Sequence, residues 1–264
     1  MQFPTRFRNR LAKGKIAGGM FLNVKDPASA EMLAHRCELD WVALDLQHAP
    51  ISPDDATGLL RAVQAVDPTI SPMVRLPGDD KYWIQQSLDA GFIGLIVPGV
   101  ESAQQIRQVA TAAYFPPVGQ RSFAGSIRGS LYTDYFKRIN DEVILLPQIE
   151  SIGGLEHLEQ IVAEPGVSGV LLGPGDLSMS YGWPMDSSQW SHEPLLEACR
   201  HVVETCRQQN KCPSILVGTD EAVRHAQRLG FQAIGVAGDN VLVRTVAADQ
   251  INRRLQYLED KKDT

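Results

Sequence analysis

The stretch Gly169-Val170-Leu171-Leu172-Gly173-Pro174-Gly175-Asp176-Leu177-Ser178 joins an apolar run to a turn rich in glycine and proline that carries one acid. A short apolar run that ends in a Gly-Pro-Gly turn is typical of a buried strand whose end places a carboxylate in a loop-lined cavity. The turn has neither the third glycine of a dinucleotide fingerprint nor the Gly-Lys-Ser/Thr of a phosphate loop. The apolar run at 143–149 ends in the same way on Glu150. Two successive strands that each end on a carboxylate indicate a metal site.

The same alternation extends along the whole chain. Eight short apolar runs alternate with helical segments, and the predicted strands lie at 16–22, 41–46, 71–77, 93–97, 143–149, 167–172, 214–217 and 233–236. This alternation predicts an α/β fold, a parallel (β/α)8 TIM barrel. We expect a single domain over 1–264, with a basic lead-in at about 1–15 and a frayed tail at about 259–264. A doubly wound open sheet is the alternative.

Composition narrows the function classes. The 264 residues carry a net charge of -6, which argues against a non-specific nucleic-acid binder and against a protein of anionic membranes, because both need a basic face. No apolar segment has the length of a signal peptide or a membrane span. We therefore expect a cytoplasmic enzyme of small-molecule metabolism. The four cysteines show no Cys-x-x-Cys pair and are expected to be free buried thiols.

Polar side chains stand at the carboxyl ends of four predicted strands, where barrel enzymes hold their active sites. They are Asp45, His48, Arg75, Gln148, Glu150 and Asp176. The two strand-end acids suit Mg²⁺ or Mn²⁺, Arg75 suits a carboxylate or oxyanion, and His48, which Asp45 could orient, exchanges protons near neutral pH. Each also has a structural interpretation: Asp176 as a helix N-cap, Arg75 as an ion-pair partner and His48 as a structural histidine.

Six segments together resemble the HpcH/HpaI aldolases, class II pyruvate aldolases that cleave 4-hydroxy-2-oxo acids such as 4-hydroxy-2-oxoheptanedioate and 2-dehydro-3-deoxyglucarate. The segments are WVALDLQHAP at 41–50, Val74-Arg75, LDAGFIGLIVPGV at 88–100, PPVGQR at 116–121, QIES at 148–151 and GPGDLSMSYG at 173–182. They occur in the family's order and cover most of the chain. Two positions depart from the usual family pattern: Gln47 stands where the family has glutamate, and Ser122 where it has glycine. Both departures bear on substrate preference, and the first bears on the proton affinity beside His48.

The resemblance implies roles for individual residues. Glu150 and Asp176 match the ligands of a divalent metal ion (Mg²⁺, Mn²⁺ or Co²⁺), Arg75 matches the catalytic arginine, and His48 with Asp45 matches the acid–base dyad. Substrate binding falls to Arg75, Gln148, Pro174, Gly175 and Leu216, with the Gly175 backbone N–H holding the substrate carboxylate. It also implies a barrel of the phosphoenolpyruvate/pyruvate type whose last helix is exchanged between paired subunits, in a homo-hexamer built as a trimer of dimers. Our further candidates for the lining of the entrance are Arg121, Trp183 and the connection at 114–141.

The predicted reaction is the reversible cleavage of a 4-hydroxy-2-oxo acid to pyruvate and an aldehyde through a pyruvate enolate held by the metal. Arg75 would bond the enolate oxygen, and His48 would take the proton of the C4 hydroxyl. The expected partners are these small molecules, with no nucleic acid and no membrane. Four alternatives stay open: a Schiff-base aldolase that uses Lys25, a CoA-ester lyase related to the citrate lyase β subunit, a phosphate-binding isomerase that uses the glycines at 235–238, and a catalytically silent barrel that binds an acid metabolite.

Overall fold

Eight parallel strands close into a barrel, in which each strand pairs with its neighbours in sequence order and β8 pairs with β1. The computed structural model describes residues 2–123, 131–183 and 190–259. The strands are β1 (Ala17–Leu22), β2 (Trp41–Asp45), β3 (Ser71–Arg75), β4 (Gly94–Val97), β5 (Ile144–Ile149), β6 (Gly169–Leu172), β7 (Cys212–Leu216) and β8 (Ala233–Gly238). The predicted (β/α)8 barrel is confirmed, and the doubly wound alternative is wrong because the sheet has no open edge.

Helices separate the strands. Over the described residues they are α1 (Arg6–Ala12), α2 (Pro27–Arg36), α3 (Pro53–Val66), α4 (Lys81–Ala90), α5 (Ala103–Ala113), α6 (Tyr135–Glu142), α7 (Ile152–Glu156), α8 (Leu158–Val162), α9 (Pro174–Ser180), α10 (Glu193–Gln208), α11 (Asp220–Leu229), α12 (Asp239–Leu242) and α13 (Ala248–Glu259), with a π-helical turn (Val243–Ala247) between the last two. The helical segment after β5 is divided in two at His157. The long connection at 114–141 contains most of α6, and its residues 124–130 lie outside the described part.

Local sequence signals set several helix ends. Ser52 caps α3 in a capping box, because its hydroxyl accepts the Asp55 N–H at 3.2 Å and the Asp55 carboxylate accepts the Ser52 N–H at 3.0 Å. Gly91 ends α4 in the left-handed region with φ of 112°, a conformation that glycine adopts without strain. Of the cysteines, Cys199, Cys206 and Cys212 are buried as expected, whereas Cys37 is exposed.

The indole of Trp41 fills the interior of the barrel between β1 and β8. A Cβ at Gly19 would lie 2.2 Å from the Trp41 ring, and one at Gly235 would lie 3.1 Å from it. The indole Nε1 donates to the Ala17 carbonyl oxygen at 3.2 Å. Glycines at these two strand positions therefore leave the space that the tryptophan occupies.

We expect Gly19→Ala to lower the free energy of unfolding by about 1–3 kcal/mol, because the added methyl overlaps the ring and must displace a buried side chain. Gly18→Ala is the matched control, since a Cβ at Gly18 meets nothing within 4 Å. Urea unfolding of both variants measures the difference. Equal midpoints for the two would contradict this packing.

The basic lead-in contains a helix, α1, that the sequence pattern did not predict. Phe3 and Phe7 are buried, and the Phe7 N–H donates to the hydroxyl of Ser71, the first residue of β3, at 3.1 Å. The Ser71 hydroxyl in turn donates to the Pro4 carbonyl oxygen at 2.8 Å. The lead-in thus packs at the amino-terminal end of the strands, opposite the ends that carry the predicted site.

The C-terminal helix α13 leaves the barrel with an uncovered apolar stripe. Ile251, Leu255 and Leu258 follow the i, i+4, i+7 spacing of one helix face, and each is more than half exposed. The π-helical turn before it adds Val243 and Val246, which are also exposed. Among the described residues, no helix is long and apolar enough to cross a membrane.

Candidate active site

Four strands bring the predicted residues to one end of the barrel. Asp45 ends β2 and Arg75 ends β3, and the two are register partners in the sheet. Gln148 lies in β5, Glu150 follows that strand directly, and Asp176 lies in the first turn of α9, after β6. Since all the strands are parallel, these residues share the carboxyl-terminal face at which barrel enzymes hold their active sites.

The Asp45 carboxylate and the Arg75 guanidinium form a buried bidentate pair. The Arg75 Nε donates to Oδ1 at 3.0 Å and Nη2 donates to Oδ2 at 2.5 Å. Asp45 is 1% exposed and Arg75 is 9% exposed, so water competes little for these charge-assisted bonds. The backbone N–H groups of Gln47 and His48 also donate to Oδ1, at 3.0 and 3.2 Å. Asp45 therefore holds both the guanidinium and the loop after β2.

This arrangement corrects the expectation that Asp45 orients the His48 ring. The carboxylate is occupied by Arg75 and by backbone N–H groups, and its bond to His48 goes to the backbone and not to the imidazole. The His48 side chain is exposed, and no hydrogen bond to its ring is formed within the part of the chain that the structure describes. The role of His48 as acid or base stays a prediction, but the side chain that Asp45 orients is Arg75.

Glu150 is fixed from three sides. Its Oε1 accepts the Gly99 N–H at 2.7 Å, and its Oε2 accepts the side-chain amide of Gln148. A Cβ at Gly173 would lie 3.0 Å from both Cβ and Oε2 of Glu150, so a glycine at this position lets the acid lie against the turn after β6. Gln148 is buried, and its Oε1 has no hydrogen-bond partner among the described residues.

Burial, together with the nearby Asp176 carboxylate, raises the pKa of Glu150 above its ordinary value. The Gly99 N–H, the Gln148 amide and the Arg75 charge offset this shift only in part. A half-buried acid beside a second acid is a site of unneutralised negative charge, which a cation would relieve.

The residues present fit a divalent cation with an incomplete protein shell. Within the described ranges, no three or more histidine, cysteine, aspartate or glutamate side chains form a metal-binding group. Glu150 and Asp176 would therefore supply two oxygen ligands, and water or substrate oxygens would supply the rest, as is usual for Mg²⁺. The N-cap of α9 is Gly173, without a side-chain capping bond. The interpretation of Asp176 as a helix cap is therefore wrong.

The predicted substrate-binding residues lie in two places around this pair. Pro174 begins α9 and is buried, and its carbonyl oxygen accepts the Ser178 hydroxyl at 2.7 Å. Gly175 follows in the first helical turn, where backbone N–H groups lack intrahelical acceptors. Leu216 ends β7, and its Cδ1 would lie 2.8 Å from a Cβ at Gly235, so it fills space beside the barrel interior. The contacts of these residues with a substrate stay predictions.

Arg121 does not line the entrance. Its side chain is 1% exposed, its Nη2 donates to Asp89 at 2.6 Å and to the Tyr135 hydroxyl at 3.3 Å, and its guanidinium stands 4.6 Å above the Phe115 ring. Asp89 lies in the last turn of α4 and Phe115 just after α5, and helices that follow barrel strands run back towards the amino-terminal ends of the strands. The earlier expectation is wrong because an ion pair and an aromatic face bury this arginine away from the site.

Trp183 lies three residues beyond α9 and is half-buried. Its ring stacks between Tyr181, at 4.6 Å between centroids, and His192, at 4.3 Å. Its place at the entrance stays a prediction. The part of the connection at 114–141 that covers 124–130 lies outside the described residues.

Sequence reasoning missed three contacts around the site. Gly99, which donates to Glu150, follows β4 in a Pro-Gly pair with φ of 60°, and that turn signal could have indicated it. Gly173 belongs to the Gly-Pro-Gly turn, a signal that indicates the turn but not its contact with Glu150. Phe21, whose ring lies beneath Arg75, is one apolar residue among several in β1 and carries no sequence signal of its own.

Comparison with known proteins agrees with the barrel fold. The family model described as HpcH/HpaI aldolase/citrate lyase matches residues 18–245. A hydroxypyruvate/pyruvate aldolase of Deinococcus radiodurans is 36% identical over 92% of this chain and 88% of its own length. A 5-keto-4-deoxy-D-glucarate aldolase of Klebsiella pneumoniae is 32% identical over 90% of this chain and 91% of its own. The crystal structure of an HpcH/HpaI aldolase/citrate lyase family protein from Burkholderia cenocepacia superposes with a TM-score of 0.85 at 29% identity, over 96% of this chain and 98% of that one.

An eight-stranded parallel barrel with acids and an anchored arginine at its strand ends has the architecture of a barrel enzyme. The chain belongs to the HpcH/HpaI aldolase/citrate lyase family, as the sequence resemblance predicted. It is an aldolase, of the aldehyde-lyase class.

Proposed function

We propose that this chain is a divalent-metal-dependent aldolase that reversibly cleaves a 4-hydroxy-2-oxo acid to pyruvate and an aldehyde. The observation that carries the proposal is the juxtaposition of two features on one face of the barrel. One is the Glu150 and Asp176 pair, whose mutual repulsion helps to raise the pKa of Glu150. The other is the Arg75 guanidinium, held by Asp45.

A divalent ion such as Mg²⁺ or Mn²⁺ at Glu150 and Asp176 would supply Lewis-acid polarisation of the 2-oxo acid. Asp45 occupies Nε and Nη2 of Arg75, and Nη1 makes no hydrogen bond within the described residues. That free donor is suited to the oxygen on which negative charge develops as the C3–C4 bond breaks. His48 takes the proton of the C4 hydroxyl, directly or through water, and the Gly175 N–H binds the substrate carboxylate.

The surroundings of Lys25 support this class over a Schiff-base aldolase. Its Nζ lies 3.0 Å from the Asp55 carboxylate, and its side chain is 53% exposed. A Schiff-base lysine needs a lowered pKa, which desolvation or a neighbouring cation provides. Lys25 is instead exposed to water and paired with an acid.

The experiment is lactate-dehydrogenase-coupled pyruvate release from a set of 4-hydroxy-2-oxo acids, with chelator-stripped protein and with added Mn²⁺ or Mg²⁺. Release only with metal is the expected result. Equal release without metal would favour Lys25 and a Schiff base. No release from any of these substrates would overturn the proposed substrate class.

We also propose that the chain forms a homo-hexamer, a trimer of dimers in which α13 packs on a paired subunit. The support is the stripe of Ile251, Leu255 and Leu258, because a helix that leaves its apolar face in water gains no packing energy from it. The same stripe on a second copy of the chain would give that helix an apolar partner.

Ile251→Glu combined with Leu255→Glu is expected to dissociate the assembly, since two charges would be buried without partners. Asn252→Glu, on another face of α13, is the control and should leave the assembly intact. Light scattering coupled to size exclusion measures the mass of each. A monomeric mass for the unmodified protein would contradict the proposal.

A further inference from the structure

The ring of Phe21 lies beneath the guanidinium of Arg75. Cζ of Arg75 stands 5.1 Å from the ring centroid, within the range of a cation–π contact. Phe21 is 2% exposed and Arg75 9% exposed, so both partners are largely removed from water. A cation–π contact is stronger when its partners are desolvated.

The Phe21 ring is itself held by Trp41. The two rings meet edge to face, with 6.2 Å between centroids and an interplanar angle of 84°. Trp41 is fixed by its indole bond to Ala17 and by close contact with Gly19. The rigid interior of the barrel thereby sets the position of the Phe21 face.

Asp45 and Phe21 restrain Arg75 in different directions. The carboxylate binds Nε and Nη2 along one edge of the guanidinium, which fixes that edge but permits the group to tilt about it. Cζ of the guanidinium lies over the aromatic ring, so the ring blocks a tilt of the group towards β1. Among the donors that Asp45 leaves unused, those of Nη1 are the ones that the proposed function assigns to the substrate.

We infer that Phe21 is a positioning residue, which sets the plane of the Arg75 guanidinium and so aims Nη1 at the oxygen that gains negative charge. This inference rests on the proposed function. Phe21, an uncharged residue of β1, would thereby join the polar residues of the candidate active site. Its contribution acts through Arg75 and requires an aromatic face at position 21, not only apolar volume.

The test compares Phe21→Leu, which removes the aromatic face, with Phe21→Tyr and Phe21→Trp, which keep one. For Phe21→Leu we expect kcat for pyruvate release to fall about tenfold, the effect of losing a desolvated cation–π contact. Mn²⁺ affinity should stay within about twofold, and an aromatic variant should recover most of kcat. Phe231→Leu, the same change at a buried residue just before β8, is the control and should keep full kcat.

A second readout does not need turnover. Calorimetry measures the binding of oxalate, a mimic of the pyruvate enolate, to Mn²⁺-loaded protein. We expect Phe21→Leu to weaken oxalate binding about tenfold in the wild-type background and less than about twofold in the Arg75→Lys background, since residues that act through one another are not additive.

The inference is overturned if Phe21→Leu keeps wild-type kcat and oxalate affinity, or if Phe21→Tyr and Phe21→Trp lose as much kcat as Phe21→Leu. It is also overturned if Phe21→Leu weakens oxalate binding equally in the wild-type and Arg75→Lys backgrounds. Failure of the unmodified protein to release pyruvate would instead overturn the proposed function, and oxalate binding would still test the contact between Phe21 and Arg75.

Discussion

Glu150→Gln is expected to lower metal-dependent pyruvate release by roughly 1000-fold, the equivalent of the several kcal/mol that a Lewis-acid metal ion supplies. The amide keeps the shape of the side chain but loses the charge that, with Asp176, would hold the cation. Isothermal titration with Mn²⁺ should show the same variant without measurable binding. Pyruvate release and Mn²⁺ titration together distinguish loss of the metal from loss of a later step.

Although Glu150→Gln should lose activity, we expect the metal-free variant to be at least as stable as the metal-free wild type. Because burial and Asp176 raise the pKa of Glu150, the folded protein holds a proton that the unfolded chain releases in the interval between the ordinary and the raised value. The free energy of unfolding of the metal-free protein therefore falls as the pH rises through that interval. Without metal at neutral pH, Glu150→Gln should melt at the same temperature as the wild type or higher, whereas added Mn²⁺ should raise only the wild-type melting temperature.

Glu101→Gln provides the control for Glu150. Glu101 is an exposed acid after β4 whose carboxylate accepts the Ser151 hydroxyl at 2.5 Å, so it lies near the site without belonging to the carboxylate pair. It should keep Mn²⁺ binding and most activity. Full Mn²⁺ binding by Glu150→Gln would show that the cation is held elsewhere.

Arg75→Lys is expected to reduce kcat by about 100- to 1000-fold, the usual effect of removing a donor aimed at developing charge, while Mn²⁺ affinity changes little. Lysine keeps the positive charge opposite the buried Asp45 but cannot reproduce the fork that binds both carboxylate oxygens. Arg75→Ala should lower activity at least as far, and in addition it should destabilise the fold by about 3–5 kcal/mol, because it leaves a buried carboxylate without its partner.

A second bidentate pair allows a matched control for Arg75. Arg107 binds Glu164 through Nε at 2.9 Å and Nη2 at 2.5 Å, but this pair lies outside the barrel and the Arg107 side chain is 64% exposed. Arg107→Lys should leave kcat and Mn²⁺ binding unchanged. Steady-state kinetics and Mn²⁺ titration separate the catalytic role proposed for Arg75 from the metal-binding role proposed for Glu150. Equal loss of Mn²⁺ binding in the Arg75 and Glu150 variants would contradict these roles.

The sequence by itself determined the barrel and the positions of its polar strand ends. Apolar runs such as Val170 to Leu172 alternate with capped helices such as the one that Ser52 begins, and this periodicity depends only on local side-chain chemistry. The carboxyl ends of parallel strands must share one face, so the placement of Arg75, Glu150 and Asp176 followed from the strand predictions.

Only the tertiary structure decided which groups pair with one another. Asp45 lies three residues from His48 in sequence, yet it binds Arg75, because the two are register partners on neighbouring strands and the fork of an arginine matches a carboxylate. Arg121 resembles a binding residue in its loop, but Asp89 and Phe115 bury it. Phe21 acquires its position beneath Arg75 only when β1 closes beside β2. Sequence periodicity sets which face of an element is buried, whereas contacts between distant segments depend on register and on the space that neighbouring side chains leave.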